Sequence, residues 1–141
     1  MEKSADILIW LVVPLLLLLP FAVHAETVRC KTELRRLCDS AQVCTRTTEI
    51  HPVIEYIVDL KEDQSSARIT KIVGGKRMAN WKAMNASTST STDHLYAAPE
   101  AKNGRFSLSK NFVTFSYSVA QRIGKDVGEA NEVGLCLTGA Q

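Results

Sequence analysis

The sequence predicts a small all-β domain, either an antiparallel barrel or a two-layer sandwich of about seven or eight short strands. Three observations support this fold class. Apolar and polar residues alternate with a period of two in several segments, turn signals such as Gly74-Gly75 and Asn103-Gly104 separate those segments, and no long amphipathic helical pattern interrupts them. Because one face of each strand can then be buried while the sheet closes, a small up-and-down barrel is the preferred architecture.

The first three predicted strands are joined by short turns. "VIEYIVDLK" places four apolar residues on one face, Ile54, Tyr56, Val58 and Leu60. "EDQSS" is typical of a turn, and "ARITKIV" is the returning strand. After Gly74-Gly75, "RMANWKAM" forms the third strand with Trp81 as its anchor. Before them, "TELRRLCDSAQVC" is expected to hold a short helical turn, because Leu34 and Leu37 are three residues apart.

The second half of the chain continues the alternation. "HLYAA", "RFSLS", "FVTFSYSVA" and "EVGLCLT" are predicted strands, and "GKDVGEAN" is predicted to be a loop. "EVGLCLT" places Val133, Leu135 and Leu137 on one face and Cys136 on the other. The Ser/Thr-rich stretch 85–93 could form a polar edge strand, but its composition favours a loop.

The N-terminal residues 1–25 are expected to be a secretory signal peptide, with residues 26–141 forming the single β domain. The run from Ile7 to Val23 is almost wholly apolar, and small residues precede a cleavage position after Ala25. Removal of 25 residues from 141 would leave 116.

An uncleaved membrane anchor is the alternative for this segment. The apolar run has 17 residues, which is the lower limit for a membrane span. It is followed by several basic residues, a bias that would keep the following chain in the cytoplasm: Arg29, Lys31, Arg35 and Arg36.

The cysteines are expected to form two disulfides. Three of the four lie in "CKTELRRLCDSAQVC", with seven and five residues between them, which fits neither the close pairs of a zinc site nor a C-x-x-C redox motif. An even number of cysteines in an exported chain is typical of a disulfide framework. Of the three possible pairings, Cys38–Cys44 and Cys30–Cys136 are favoured, because the first closes a short turn and the second ties the first strand to the last.

The charge pattern argues against nucleic-acid binding. The chain has 17 basic and 15 acidic side chains, a formal net charge of +2, and the two signs alternate without a basic block that could face phosphates. We expect the partner to be an unknown protein or envelope component rather than a nucleic acid. We expect membrane contact only through residues 1–25, if they are retained. No motif for a cofactor or for calcium or phosphate binding is present.

Candidate catalytic groups are few, and the sequence predicts a protein that is not an enzyme. Asp93-His94 beside the Ser-rich stretch suggests a triad, but adjacent residues rarely supply that geometry and no G-x-S-x-G motif is present. His51 precedes Pro52 and is interpreted as a surface loop residue. A glycosidase-like carboxylate pair could come from a short acidic set, which a solvated strand face explains better: Glu55, Asp59, Glu62 and Asp63.

The resulting prediction is a periplasmic or secreted, disulfide-stabilised, non-enzymatic protein that binds a partner. Its candidate contact residues are Phe112, which lies on the face opposite Phe115 and Tyr117, and His94. The alternatives are a small-ligand carrier barrel and a hydrolase. The general plan resembles that of small bacterial periplasmic proteins, including lysozyme-inhibitor barrels. That resemblance is architectural, and because no inhibitor loop motif is matched residue by residue, no site is carried over from it.

Overall fold

The computed structural model describes residues 26–98 and 104–139, so the predicted signal or anchor segment lies outside the described residues. The turn predicted at Asn103-Gly104 is also outside them, apart from Gly104, the first residue of a strand. The described residues form nine strands: β1 (Thr27–Cys38), β2 (Cys44–Thr47), β3 (Ile54–Leu60), β4 (Ser66–Val73), β5 (Lys76–Met84), β6 (Asp93–Ala98), β7 (Gly104–Ser109), β8 (Thr114–Ile123) and β9 (Asp126–Thr138).

Eight of these strands form a nearly closed antiparallel barrel, which confirms the predicted fold class. They follow the order β5-β4-β3-β1-β9-β8-β7-β6, and β2 pairs with β1 outside this path. At the two outer strands of the path, a bridge joins Asn85, the residue after β5, to Tyr96 of β6. The first and last strands are therefore neighbours in the middle of the sheet, and the incomplete seam lies between β5 and β6.

Both predicted disulfides are confirmed. Cys30 and Cys136 are directly opposite each other on β1 and β9, and their sulfur atoms are 2.04 Å apart. Cys38 and Cys44 close the turn between β1 and β2, with a sulfur–sulfur distance of 2.08 Å. The first disulfide links two cysteines that are 106 residues apart in the sequence, and the second links two that are six residues apart.

The helical turn expected after Cys30 is wrong, because β1 continues as a strand to Cys38. It pairs with β9 along almost its whole length, from Val28 opposite Thr138 to Cys38 opposite Glu129. The hydrogen bonds of this long ladder satisfy the backbone N–H and C=O groups of the segment. They outweigh the helical preference that the spacing of the two leucines suggested.

The loop predicted for "GKDVGEAN" is also wrong. Only Gly124 and Lys125 form a turn there, and β9 begins at Asp126 opposite Ile123. The Ser/Thr-rich stretch does form a loop over residues 86–92, as the composition favoured. At the predicted Gly74-Gly75 hairpin both glycines have positive φ, 56° and 78°, which is the conformation that a two-residue turn requires.

Aromatic side chains fill the barrel interior. Tyr56 is fully buried at the centre, with ring centroids 5.3 Å from Phe106, 5.2 Å from Phe115 and 5.5 Å from Tyr117. Trp81, the predicted anchor of β5, is buried beside Tyr117, with 6.3 Å between ring centroids. These contacts follow from the inward faces that the alternation predicts on β3, β5, β7 and β8.

Strand β9 has its exposed large apolar residues, among them two leucines, on the outside. Glu132 and Cys136 are buried, whereas Leu135 and Leu137 are 51% and 77% exposed. The sequence correctly separates Cys136 from the leucines, but the usual rule that apolar residues face inward fails here. Cys136 must face the interior to reach Cys30, and because side chains alternate, that choice sets the direction of every other side chain on β9.

A β-bulge in β1 changes which of its residues face the interior. The register with β9 shifts between Thr32 and Leu34, so that Thr32 lies opposite Gly134 and Arg35 lies opposite the buried Glu132. Gly134 is required at this close approach, since a Cβ atom there would be 1.8 Å from the carbonyl oxygen of Lys31. The bulge therefore turns Arg35 into the barrel and towards a buried carboxylate.

Candidate functional site

The two ends of the barrel are built differently. One end, the cap end, carries the β3–β4 turn, the loop 86–92 and the β7–β8 turn. The other, the fork end, carries the β1–β2 turn, the segment 48–53 and the β4–β5 and β8–β9 hairpins.

A cleft opens at the fork end because β1 changes its partner. Residues 27–31 of β1 pair with β3, whereas residues 35–38 pair with β2. Strands β2 and β3 therefore diverge, and segment 48–53, which contains the cis His51–Pro52 peptide bond, connects them around the gap. The gap is the fork cleft, with a volume of about 280 Å³. Its floor consists of Arg35, Lys71 and Glu132, and apolar side chains contribute to its walls: Leu37, Ile50, Pro52, Ile54 and Val73.

Glu132 is the central group of the floor, and only 2% of its surface is exposed. The Tyr56 hydroxyl donates a hydrogen bond to its Oε2 atom. The Lys71 ammonium donates to Oε1 at 3.2 Å, and Arg35 Nε lies 3.7 Å from the same oxygen. A buried carboxylate is tolerated only when it is paired and hydrogen-bonded, so these three neighbours explain how Glu132 can face the interior.

Lys71 is held in place by the aromatic core as well as by Glu132. It lies opposite Tyr56 on the neighbouring strand, and its Nζ atom is 5.5 Å from the Tyr56 ring centroid and 5.0 Å from that of Tyr117. Cation–π attraction at these distances favours a fixed ammonium position. The side chain is 18% exposed, so the charge is near the cleft surface without being freely solvated.

The floor has more hydrogen-bond donors than acceptors. A lysine ammonium has three N–H donors and an arginine guanidinium has five, while both Glu132 oxygens are already engaged. Arg35 Nε is buried and has no hydrogen-bond partner among the described residues, and the Arg35 side chain is 37% exposed in the cleft. The exposed part of the Arg35 side chain and the Lys71 ammonium are therefore the groups that could donate to an oxygen atom of a ligand, whereas the buried Nε atom could not reach one.

The cap end contains the two predicted contact residues, Phe112 and His94, and brings them together. Their rings stack with centroids 5.6 Å apart and planes inclined by 21°. His94 is buried, and Phe112 is half-buried with a positive φ of 59°. Phe112 therefore covers the barrel end rather than standing free on the surface, and this pair belongs to a closed part of the molecule.

The side chain of Asn85 connects two parts of the cap end. Asn85 Nδ2 donates to the carbonyl oxygen of Gln64 at 3.1 Å and lies 3.0 Å from His94 Nδ1. Burial lowers the pKa of His94, and the positive charge of Lys110 lowers it further, while the carboxylate of Asp93 acts in the opposite direction.

The other sequence candidates do not form a catalytic arrangement. Asp93 and His94 are neighbours on β6 with side chains on opposite faces, and Asp93 accepts a hydrogen bond from Ser107 at 2.8 Å. Glu55 and Asp59 lie on the outer face of β3, where Asp59 accepts a hydrogen bond from Thr27 at 2.8 Å. His51 is exposed and lines the fork cleft.

The remaining two acidic candidates, Glu62 and Asp63, are exposed in the β3–β4 turn of the cap end. Asp63 caps that turn by accepting a hydrogen bond from the Ser65 backbone at 3.0 Å. Across residues 26–98 and 104–139, no group of three or more His, Cys, Asp or Glu side chains is placed to hold a metal ion.

Sequence reasoning missed the floor of the fork cleft. Glu132 lies four residues before Cys136, and residues separated by an even number share a face of a strand. An inward Cys136 therefore implied an inward Glu132. Nothing comparable pointed to Arg35, because its direction depends on the bulge in β1.

Comparisons with known proteins do not assign this site. No family model matches the chain, and the comparisons with curated proteins and with solved structures found no match. Within the described part of the chain, no helix has the length and apolar character needed to cross a membrane.

Proposed function

We propose that this protein is an exported, disulfide-stabilised, non-enzymatic binding protein of the cell envelope or the extracellular space, and that the fork cleft is its binding site. The observation that carries the proposal is the cleft itself, a concave site with apolar walls around a few convergent polar groups, which is the usual composition of a binding site. The two disulfides are consistent with an oxidising compartment.

The geometry of the floor favours binding over catalysis. A general acid or base needs a carboxylate that can reach a substrate proton, but both oxygens of Glu132 are engaged by Tyr56, Lys71 and Arg35. His94 and Asp93, the other catalytic candidates, lie at the opposite end of the barrel. This engagement supports a role for the polar groups of the cleft in holding a ligand rather than in transferring a proton.

Carriage of a small ligand is the second candidate, and the volume of the cleft supports it. About 280 Å³ is close to the lower limit of ligand sites in proteins, roughly 300–1,000 Å³. The aromatic rings around Tyr56 occupy the centre of the barrel, so a carried molecule would be held at the fork end.

Photo-crosslinking in the source cells tests the proposal. A photoreactive residue at Val53, which is 37% exposed beside the cleft, should give an adduct of defined mass. The same residue at Lys82, an exposed position on β5, is the matched control and should give none. Arg35→Gln should abolish the Val53 adduct, because it removes a floor cation.

Two further measurements separate the alternatives. Native mass spectrometry that finds a retained small molecule, with no protein adduct, would replace partner binding with carriage. Turnover of ester, glycoside or phosphate substrates that is lost in Glu132→Gln or His94→Gln would overturn the non-enzymatic proposal. Equal crosslinking from Val53 and Lys82 would overturn the fork cleft as the site.

A further inference from the structure

The charges in the fork cleft are not balanced within the floor. Arg35 and Lys71 supply two positive charges and Glu132 supplies one negative charge, so the floor carries a net charge of +1. Glu49 also lines the cleft, but it is exposed at the mouth, where water and salt screen its charge. Less solvated charges interact more strongly than fully exposed ones, so the floor contributes more than Glu49 to the potential inside the cleft.

The side chains that carry this excess positive charge, Arg35 and Lys71, also supply hydrogen-bond donors. The Arg35 side chain is 37% exposed in the cleft, and one hydrogen bond from Lys71 to Glu132 leaves two of the three Lys71 donors without a carboxylate acceptor there. Arginine and lysine together favour an oxygen anion, and the planar guanidinium suits a carboxylate in particular. Part of the wall is aliphatic, including Ile50, Ile54 and Val73.

We propose that the fork cleft binds a carboxylate carried on a small apolar group, with Arg35 and Lys71 holding the carboxylate and the aliphatic walls holding the apolar part. The inference rests on the proposed function and names the chemistry of the group that the site accepts. The volume of about 280 Å³ limits the group to about the size of one amino-acid side chain with its carboxylate. A free branched-chain acid and the C-terminal residue of a peptide both have this chemistry.

Glu132 provides a test that separates carboxylate binding by the floor from a purely structural role of its ion pairs. It positions Lys71 and Arg35, but its own negative charge also opposes the incoming carboxylate. Replacing it by glutamine keeps the shape of the side chain and raises the charge of the floor from +1 to +2. The affinity for a carboxylate should therefore increase, whereas the loss of a merely structural ion pair would weaken binding or leave it unchanged.

The experiment is an NMR titration of the full-length protein, in the form that its cells produce, with 4-methylpentanoate. The methyl signals of Ile50 and Ile54 report binding in the cleft. We expect 4-methylpentanoate to bind at least tenfold more tightly than 4-methylpentanamide, which has the same shape without the charge. This comparison uses only the wild-type protein, so it does not depend on whether a variant folds.

Variants then locate the charge effect. Glu132→Gln should tighten 4-methylpentanoate binding about tenfold, and Arg35→Gln should weaken it about tenfold, because each changes one unit charge within a few ångströms of the ligand. Glu62→Gln makes the same chemical change as Glu132→Gln in an exposed turn at the cap end and should leave the affinity unchanged.

The outcomes separate this inference from the proposed function. Equal affinities for the acid and the amide, or weaker acid binding in Glu132→Gln, would overturn the carboxylate assignment. A Val53 crosslink that persists in that case would leave the proposed function standing. Tighter binding of acetyl-alanyl-leucine than of 4-methylpentanoate would identify a peptide C-terminus as the source, and the reverse order would identify a free acid.

Discussion

The two ends of the barrel differ in how their openings are covered. At the cap end, an aromatic ring and a histidine cover the opening, and Asn85 contacts the Gln64 carbonyl oxygen and His94 Nδ1. At the fork end, a buried carboxylate and two cations lie beneath an open cleft. A closed, mostly apolar cover favours stability, whereas a buried ionic group is weak evidence for stability. The difference is consistent with a structural role for His94 and Phe112, and it supports the binding role that we propose for the fork end.

The disulfides provide the largest expected difference between the ends. Cys30–Cys136 lies nearer the cap end and closes a separation of 106 residues, while Cys38–Cys44 closes six at the fork end. Loop-closure entropy predicts a loss of about 5 kcal/mol for Cys30→Ala/Cys136→Ala and about 2 kcal/mol for Cys38→Ala/Cys44→Ala. Urea denaturation followed by circular dichroism measures both losses. Equal losses would mean that closure length does not control the stability of this barrel.

Removal of the two cations tests the buried ionic group. Arg35→Met/Lys71→Met leaves Glu132 as an unpaired buried charge and should lower the free energy of unfolding by about 3–5 kcal/mol. Adding Glu132→Met should recover most of the loss, because no buried charge then remains. The same urea measurement reports both variants. If the triple variant were no more stable than the double variant, desolvation of Glu132 would not be the cause.

Phe112 tests the cover at the cap end. Phe112→Ala loses the half-buried ring and its stacking on His94, which should cost about 1–3 kcal/mol. Phe112→Gly loses the same ring but suits the positive φ of 59°, so it should be more stable than Phe112→Ala by about 1 kcal/mol. Thermal unfolding of the two variants in parallel checks the order. A glycine variant less stable than the alanine variant would exclude backbone strain at this position.

The smallest effect is a pH dependence from His94. Burial and Lys110 lower the pKa of this imidazole below its ordinary value of 6.5, so the unfolded chain binds more protons at mildly acidic pH. The stabilising contribution is therefore complete above pH 6.5 and is lost as the pH falls towards the pKa of the folded state. Urea midpoints between pH 8 and pH 5 measure the loss.

Two variants assign the pH dependence to one end of the barrel. His94→Gln should reduce it, while His51→Gln, at an exposed position of the fork end, should retain it. A dependence that disappears with His51→Gln instead would place the titrating group at the fork end.

Local patterns were sufficient for the architecture because most of them act independently. Period-two alternation predicts the inward faces of β3 and β5, and the glycine pair predicts the β4–β5 hairpin. The disulfide pairing followed from spacing and from the expectation that the first and last strands meet. The patterns failed where a long ladder competed with them, as in β1, for which a helical turn was expected.

By itself, the sequence determined an all-β domain, the β4–β5 hairpin, its two disulfides and most of its aromatic core, because each depends on alternation or spacing along the chain. Only the tertiary structure decided that the leucines of β9 face outward and that Glu132 faces inward. It also decided that a bulge directs Arg35 into the barrel. It decided as well that β1 pairs with β3 along its first part and with β2 along its last part. The physical reason is that a strand's alternation distinguishes its two faces without stating which is inside. That choice is made by contacts between residues far apart in the chain.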